Sequence, residues 1–179
     1  MLGSPWTGRA LRPGSYGTLP PMTTSQGHED FAEPTYSDIP RVTREQVRAM
    51  EASRAAEAWT GAGMPHCILR TVGRRSGREH RVALPYWIDP QGHRVVCASF
   101  AGGPRHPAWY LNLADRRTNA EVRVQTQHRA FWAAVRVLEG DEYDRIWAAL
   151  AADRPFYADY QSRTPRKLPL VRLIERRPA

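Results

Sequence analysis

Cysteine is scarce in this chain. Cys67 and Cys97 are the two present, and they lack the spacing of a metal or redox pair. Both fall in runs that read as strands, which suits buried, reduced thiols in a cytoplasmic protein. No apolar stretch approaches the ~20 residues of a membrane span. Arg9 and Arg12 are followed by no apolar segment, so a secretory leader is not expected. A G-x-S-x-G elbow and a Walker loop are also missing. His66, His80, His93, His106 and His128 are dispersed, so no metal site is expected. No internal repeat is present, and the first 40 residues carry no sustained periodicity. Pro5, Pro13, Pro20, Pro21, Pro34 and Pro40 recur there among Gly, Ser and Thr, the composition of a disordered tail.

What remains is enough for one domain. The 179 residues are 41% hydrophobic and 25% charged, as in a soluble globular protein. The net charge is +8, unevenly placed. Arg9, Arg12 and Arg41 stand against Glu29, Asp30, Glu33 and Asp38 in residues 1–43, so the remainder carries +9. That surplus favours anionic partners without choosing among nucleic acid, acidic lipid and a polyanionic cofactor.

Thr43-Arg44-Glu45-Gln46 has the form of a capping box, predicting a helix to about Trp59. Its sparse apolar positions describe a surface helix over residues 41–63, or a weak contact with a membrane surface. Six strands are expected over His66–Val72, Glu79–Ile88, Arg94–Phe100, Glu121–Thr126, Arg129–Leu138 and Lys167–Ile174. Two helices, Pro107–Ala114 and Asp141–Ala152, interrupt them. Closely spaced, mostly antiparallel strands with few helices point to a small barrel.

Chemistry could sit in three places. The turn Gly73-Arg74-Arg75-Ser76-Gly77 offers two guanidiniums, a hydroxyl and glycine-exposed N–H groups, suited to a phosphate or carboxylate; it reads equally as a solvated hairpin tip. Ser99 to Gly103 runs from a strand into a glycine loop, followed by Trp109, Tyr110 and Asn112. Trp109 and Tyr110 cannot both face the core of one short helix. Tyr157 and Tyr160 share a face if residues 155–164 are helical, as pocket wall and phenol donor or as edge packing.

Taken together, these segments resemble the deazaflavin (coenzyme F-420)-dependent nitroreductase and quinone reductase family. The matching stretches are Thr71 to Gly77, Ser99 to Leu113 and Pro155 to Pro169, in family order within residues 64–175. The resemblance implies a mainly β fold with flanking helices, a split β-barrel like that of FMN-binding proteins, over residues 64–179. It implies reduced coenzyme F-420 as hydride donor, held by Arg74, Arg75, Ser76, Gly77, Arg81, Pro85, Ser99, Ala101, Gly102 and Asn112. It places Tyr157 and Tyr160 as catalytic phenols, Tyr157 the better proton donor, with Trp109 and Arg163 beside the substrate. Arg75 stands where the family usually has Lys, and Asp115-Arg116-Arg117 resembles a short insertion.

The expected activity is hydride transfer to a quinone, nitroaromatic or activated enone by a cytoplasmic monomer or homodimer. Two readings stay beside it. One is a flavin (FMN) or haem binder of the same fold, and the other a basic nucleic-acid-binding barrel.

Overall fold

The structure, a computed structural model, describes residues 35–179; the expected tail lies outside them up to residue 34. The described residues form four α-helices: α1 (Ile39–Ala52), α2 (Ala108–Leu113), α3 (Gly140–Asp153) and α4 (Phe156–Ser162). The same residues form eight strands, β1 (Thr60–Gly61), β2 (Met64–Val72), β3 (Glu79–Pro85), β4 (Trp87–Ile88), β5 (Arg94–Cys97), β6 (Glu121–Gln125), β7 (Ala130–Val137) and β8 (Leu170–Pro178). Their pairings are antiparallel, in the order β1-β2-β6-β7-β8-β5-β4, with β3 on the other side of β2. The result is a split β-barrel with flanking helices.

The split has a local cause. β3 and β4 are joined through Tyr86, whose N–H donates to the Pro65 carbonyl, while β4 pairs β5 rather than β2. A single residue therefore carries the chain from one sheet edge to the other. The strand expected over Glu79–Ile88 breaks there, and its alternation breaks with it. Val82, Leu84 and Tyr86 pack into the barrel, whereas Ile88 is exposed.

Period-2 alternation places the rest of the core. Cys67, Leu69, Val96, Val124, Phe131, Val171 and Leu173 fill the barrel. The intervening Ile68 faces Val47 and Met50 of α1 and Trp59 beyond its end. Val95 and Cys97 face Tyr143, Ile146 and Leu150 of α3. A buried ion pair ties the far side together. Arg172 of β8 donates from Nε to Asp89 Oδ2 at 2.7 Å and from Nη1 to Glu142 of α3 at 2.6 Å.

Several expected boundaries are corrected. The first helix begins at Ile39, ahead of the expected capping box, and ends at Ala52 rather than near Trp59; a separate 3-10 turn covers Ala56–Trp59. Thr43 lies inside the helix, where its hydroxyl accepts from the Ala83 N–H at 2.9 Å. A tertiary contact thus takes the oxygen that a cap would have used. β5 ends at Cys97, short of Phe100. β8 starts at Leu170 rather than Lys167 and runs to Pro178 because β7 continues to pair it, Phe131 against Pro178.

Candidate functional site

Strand polarity gives the barrel two ends. One end gathers the close of β2, β5 and β7 with the start of β3, β6 and β8. The 73–78 turn and the loop after β5 both lie there.

The turn is tightly formed. Gly73 N–H donates to the Arg78 carbonyl and Gly77 N–H to that of Gly73, each at 2.8 Å. Gly77 holds φ +65°, a conformation that glycine takes without the Cβ clash. Arg74, Arg75 and Ser76 are exposed, and no acidic group pairs with Arg74 or Arg75 among the described residues. The turn is anchored from behind. Arg74 donates to Asn112 Oδ1 at 3.3 Å from its backbone N–H and again from Nη1. Asn112 Nδ2 reaches Thr71 Oγ1 at 3.2 Å. Asn119 bridges the Val72 backbone, accepting its N–H at 2.8 Å and donating to its carbonyl at 3.0 Å. Asn112 is thus buried behind the turn as a clamp.

The second part is the loop after β5. Phe100, Ala101 and Gly102 take φ of 51°, 50° and 75°, three left-handed residues in succession. Arg166 grips them. Its guanidinium donates to the carbonyls of Gly103 at 2.9 Å, Ala98 at 3.1 Å and Ser99 at 2.6 Å. It also meets His106 Nδ1 at 3.2 Å. An arginine can only donate, so Nδ1 accepts and the ring is neutral. Burial, and then the charge of Arg166, lower the His106 pKa. α4 packs on the same loop. A Cβ on Gly102 would stand 2.7 Å from the Tyr160 carbonyl oxygen, so glycine admits the close approach.

α2 joins the two parts. His106 precedes it and packs on Tyr110 at 5.1 Å, and Asn112 closes it. Trp109 goes to the barrel core, leaving Tyr110 half-buried outside. Tyr110, Leu113, Asn119, Arg116, Val135, Val137 and Glu139 line a cleft of about 200 Å³. Burial and the nearby Glu139 raise the Tyr110 pKa, which keeps its phenol protonated at neutral pH.

The remaining residues named from the sequence lie variously around this end. Tyr157 is 2% exposed, its hydroxyl 3.9 Å from Met64 Sδ within the α3–α4 cluster, and it does not line the Tyr110 cleft. Tyr160 is half-buried, with the Arg163 guanidinium 5.2 Å over its ring. Arg81 faces α1, paired with Glu51 at 2.7 Å. Pro85 lies at the opposite end of β3, across from His66, and is not brought to the turn. Arg166 and Asn119 were not singled out for this site from the sequence, and Tyr110 was named beside Trp109 without a role. Tyr110 carried a signal, since Trp109 and Tyr110 could not both face inward; the other two act on backbone remote in sequence and carried none.

A family model described as F420H(2)-dependent quinone reductase matches residues 42–175. The chain belongs to this family. Membership makes it an oxidoreductase of a family whose hydride donor is reduced coenzyme F-420. Among similar proteins, an F420H(2)-dependent quinone reductase of Mycobacterium tuberculosis is 30% identical over 115 residues, covering 63% of this chain and 74% of the relative. A solved F420-H2 dependent reductase is 32% identical with a TM-score of 0.51, covering 61% of this chain and 93% of that one. A structure described as a domain-swapped dimer is 29% identical with a TM-score of 0.54, covering 73% and 95%.

The donor set fits that coenzyme. Two exposed guanidiniums and a hydroxyl on one turn suit its phosphodiester and carboxylates. The loop held by Arg166 adjoins through α2.

Proposed function

We propose that the chain transfers a hydride from the reduced deazaflavin to a quinone, with nitroaromatics and activated enones as further acceptors of the same electrophilic class. The observation that carries this reading is the physical joining of the Arg74–Arg75 turn, α2 and the Ser99–Gly103 loop at one barrel end. Arg74, Arg75, Ser76 and Gly77 would hold the anionic part of the coenzyme, and Ser99, Ala101 and Gly102 would border its ring. Bound there, the coenzyme supplies the hydride.

The chain's own part is to bind, orient and protonate. Asn112 and Asn119 fix the turn so that its guanidiniums need no reordering when an anion arrives. Arg166 sets the loop in the one backbone shape its donors match. Tyr160 and Tyr110 are the half-buried phenols at this end, and each can donate a proton to a reduced acceptor oxygen. Tyr157 stands behind Tyr160, edge to face at 6.1 Å, and supports it. Cys67 and Cys97 are free and buried, which suits a reducing compartment such as the cytoplasm. No helix among the described residues is long and apolar enough to cross a membrane.

The test is a titration of the purified chain with oxidised deazaflavin coenzyme, FMN and single-stranded DNA, followed by turnover with a naphthoquinone. Tight binding of the deazaflavin alone and quinone reduction are expected. Preference for FMN or DNA would overturn the reading.

A further inference from the structure

The opposite end of the barrel holds a second cavity, of about 260 Å³. Its walls come from Trp59 and Thr60, Pro65 and His66 at the start of β2, Tyr86, Arg94 at the start of β5, and the β6–β7 turn from Thr126 to Arg129. By strand polarity it lies a full strand length from the 73–78 turn.

Arg94 is the unusual feature of this cavity. Its side chain is only 17% exposed, and its guanidinium lies 4.8 Å from the Phe131 ring centroid and 5.6 Å from that of Tyr86. Its Nε is sealed from solvent with no hydrogen-bond partner. The carboxylate beside it, Glu175, stands 3.5 Å from Nη1. That carboxylate is already held by both Nη groups of Arg129, at 2.8 and 2.7 Å. Two guanidiniums thus share one acid, and the inner one is left short of acceptors. Nε is closed off by protein and out of a ligand's reach; the Nη groups, held by one long contact to a shared carboxylate, are the donors that Arg94 offers to the cavity.

The other walls narrow the choice. His66 is buried, and its Nδ1 lies 3.0 Å from the Met64 carbonyl. A carbonyl can only accept, so Nδ1 carries the proton and neutral Nε2 is left as an acceptor. Pro65 and Tyr86 give flat, largely apolar surface, with buried Trp59 behind them. Exposed His128 stands at the rim. The volume falls near the lower bound of ligand pockets, about 300 Å³, so a single ring suits it better than a tricyclic coenzyme.

We propose that this cavity is a second binding site, separate from the hydride-transfer end, for a small planar aromatic carboxylate. The carboxylate accepts from the Nη groups of Arg94, the ring lies against Tyr86, and a ring hydroxyl donates to His66 Nε2.

The test is calorimetric titration of the intact chain with 4-hydroxybenzoate as probe. Comparison ligands are 4-hydroxybenzyl alcohol, which keeps the ring and loses the charge, and acetate, which does the reverse. Saturable binding of the probe alone is expected, weakened about ten- to a hundredfold by Arg94→Gln. His128→Glu places a negative charge at the rim on an exposed side chain and is expected to weaken binding several-fold. It therefore decides the matter even if Arg94→Gln does not fold. Saturating deazaflavin coenzyme is expected to leave the titration unchanged. Absence of saturable binding would overturn the proposal, as would equal binding of the alcohol, indifference to His128→Glu, or displacement by the coenzyme. None of these outcomes depends on turnover, so the proposal stands or falls apart from the hydride-transfer reading.

Discussion

Arg166 donates to the carbonyl oxygen of Ser99 across 2.6 Å, so a residue just ahead of β8 fixes the loop that follows β5. The loop needs such a hold. Phe100 and Ala101 are left-handed without being glycine, at about 1–2 kcal/mol each. Three carbonyls aimed at one guanidinium offset that strain.

Replacing Arg166 by Lys keeps the charge and loses the fork, since an ammonium cannot span carbonyls on Ala98, Ser99 and Gly103 together. Arg166→Lys is expected to lower unfolding free energy by about 1.5–3 kcal/mol and to weaken coenzyme binding. Urea melts and a coenzyme titration measure the two. An unchanged urea midpoint would mean that the loop holds its shape unaided.

Arg74 and Arg75 are exposed on a turn that Asn112 and Asn119 hold from behind, so their loss leaves the scaffold intact. The double Ala variant is expected to bind coenzyme more weakly, by about 1.5–3 kcal/mol for each charge-assisted hydrogen bond removed. The gap from wild type should narrow as salt rises. Equal affinity of the two proteins at low salt would reduce the turn to surface decoration.

Much of this was legible because the barrel obeys a local rule. Alternation along Cys67–Leu69 and Val95–Ala98 sends successive residues to barrel and helix sides, and a period of two can be read from sequence. The end of β8 was not legible. Glu175, Arg176 and Arg177 have no apolar pattern, and they extend the strand through pairing with β7 and through ion pairs with Arg129 and Glu121. Tyr157 and Tyr160 show the limit of spacing. Three residues apart, they share a helix face, yet that face straddles the edge of the α3–α4 cluster, so one ring is buried and the other is not. Arg166 and Asn119 carried no signal because their partners are backbone atoms 47 to 68 residues away.

The tyrosines can be separated kinetically. Tyr157→Phe removes a hydroxyl that meets only a thioether and is expected to leave kcat within a few-fold. Tyr157→Ala opens a cavity and is expected to cost about 3–5 kcal/mol of stability. If a phenol delivers the proton, Tyr160→Phe or Tyr110→Phe should lower kcat by up to roughly 10²–10⁴-fold with coenzyme affinity kept. Should Tyr157→Phe alone cause such a fall, the buried phenol would have to be the donor, and the helix would have to open to expose it.

Both cysteines should be silent in the folded protein. Burial pushes the Cys67 thiol up to about 12 and that of Cys97 higher still, so neither forms thiolate near neutrality. A maleimide reagent at about pH 8 is expected to label neither until denaturant is added. Rapid labelling of the native chain would show that the sheet opens at β2 or β5.

Stability should also fall on mild acidification, for a reason that can be worked out. Burial lowers the pKa of His66 below 6.5, against the hydrogen bond to Met64, and burial followed by the charge of Arg166 lowers that of His106. In the unfolded chain both rings titrate near 6.5. Between the folded and unfolded values the unfolded state binds more protons, so stability rises with pH. The contribution is fully present above 6.5 and is lost as pH falls from there through the lowered folded values. Carboxylates with depressed values, Asp38 and Glu142, act in the same direction but only below the ordinary carboxylate range. The decline from about pH 7 to pH 5 is therefore assigned to the imidazoles. His66→Asn keeps a donor for the Met64 carbonyl and removes the titration. Thermal melts of this variant are expected to show a shallower fall in Tm over that interval than wild type. Parallel curves would place the acid sensitivity in groups other than His66.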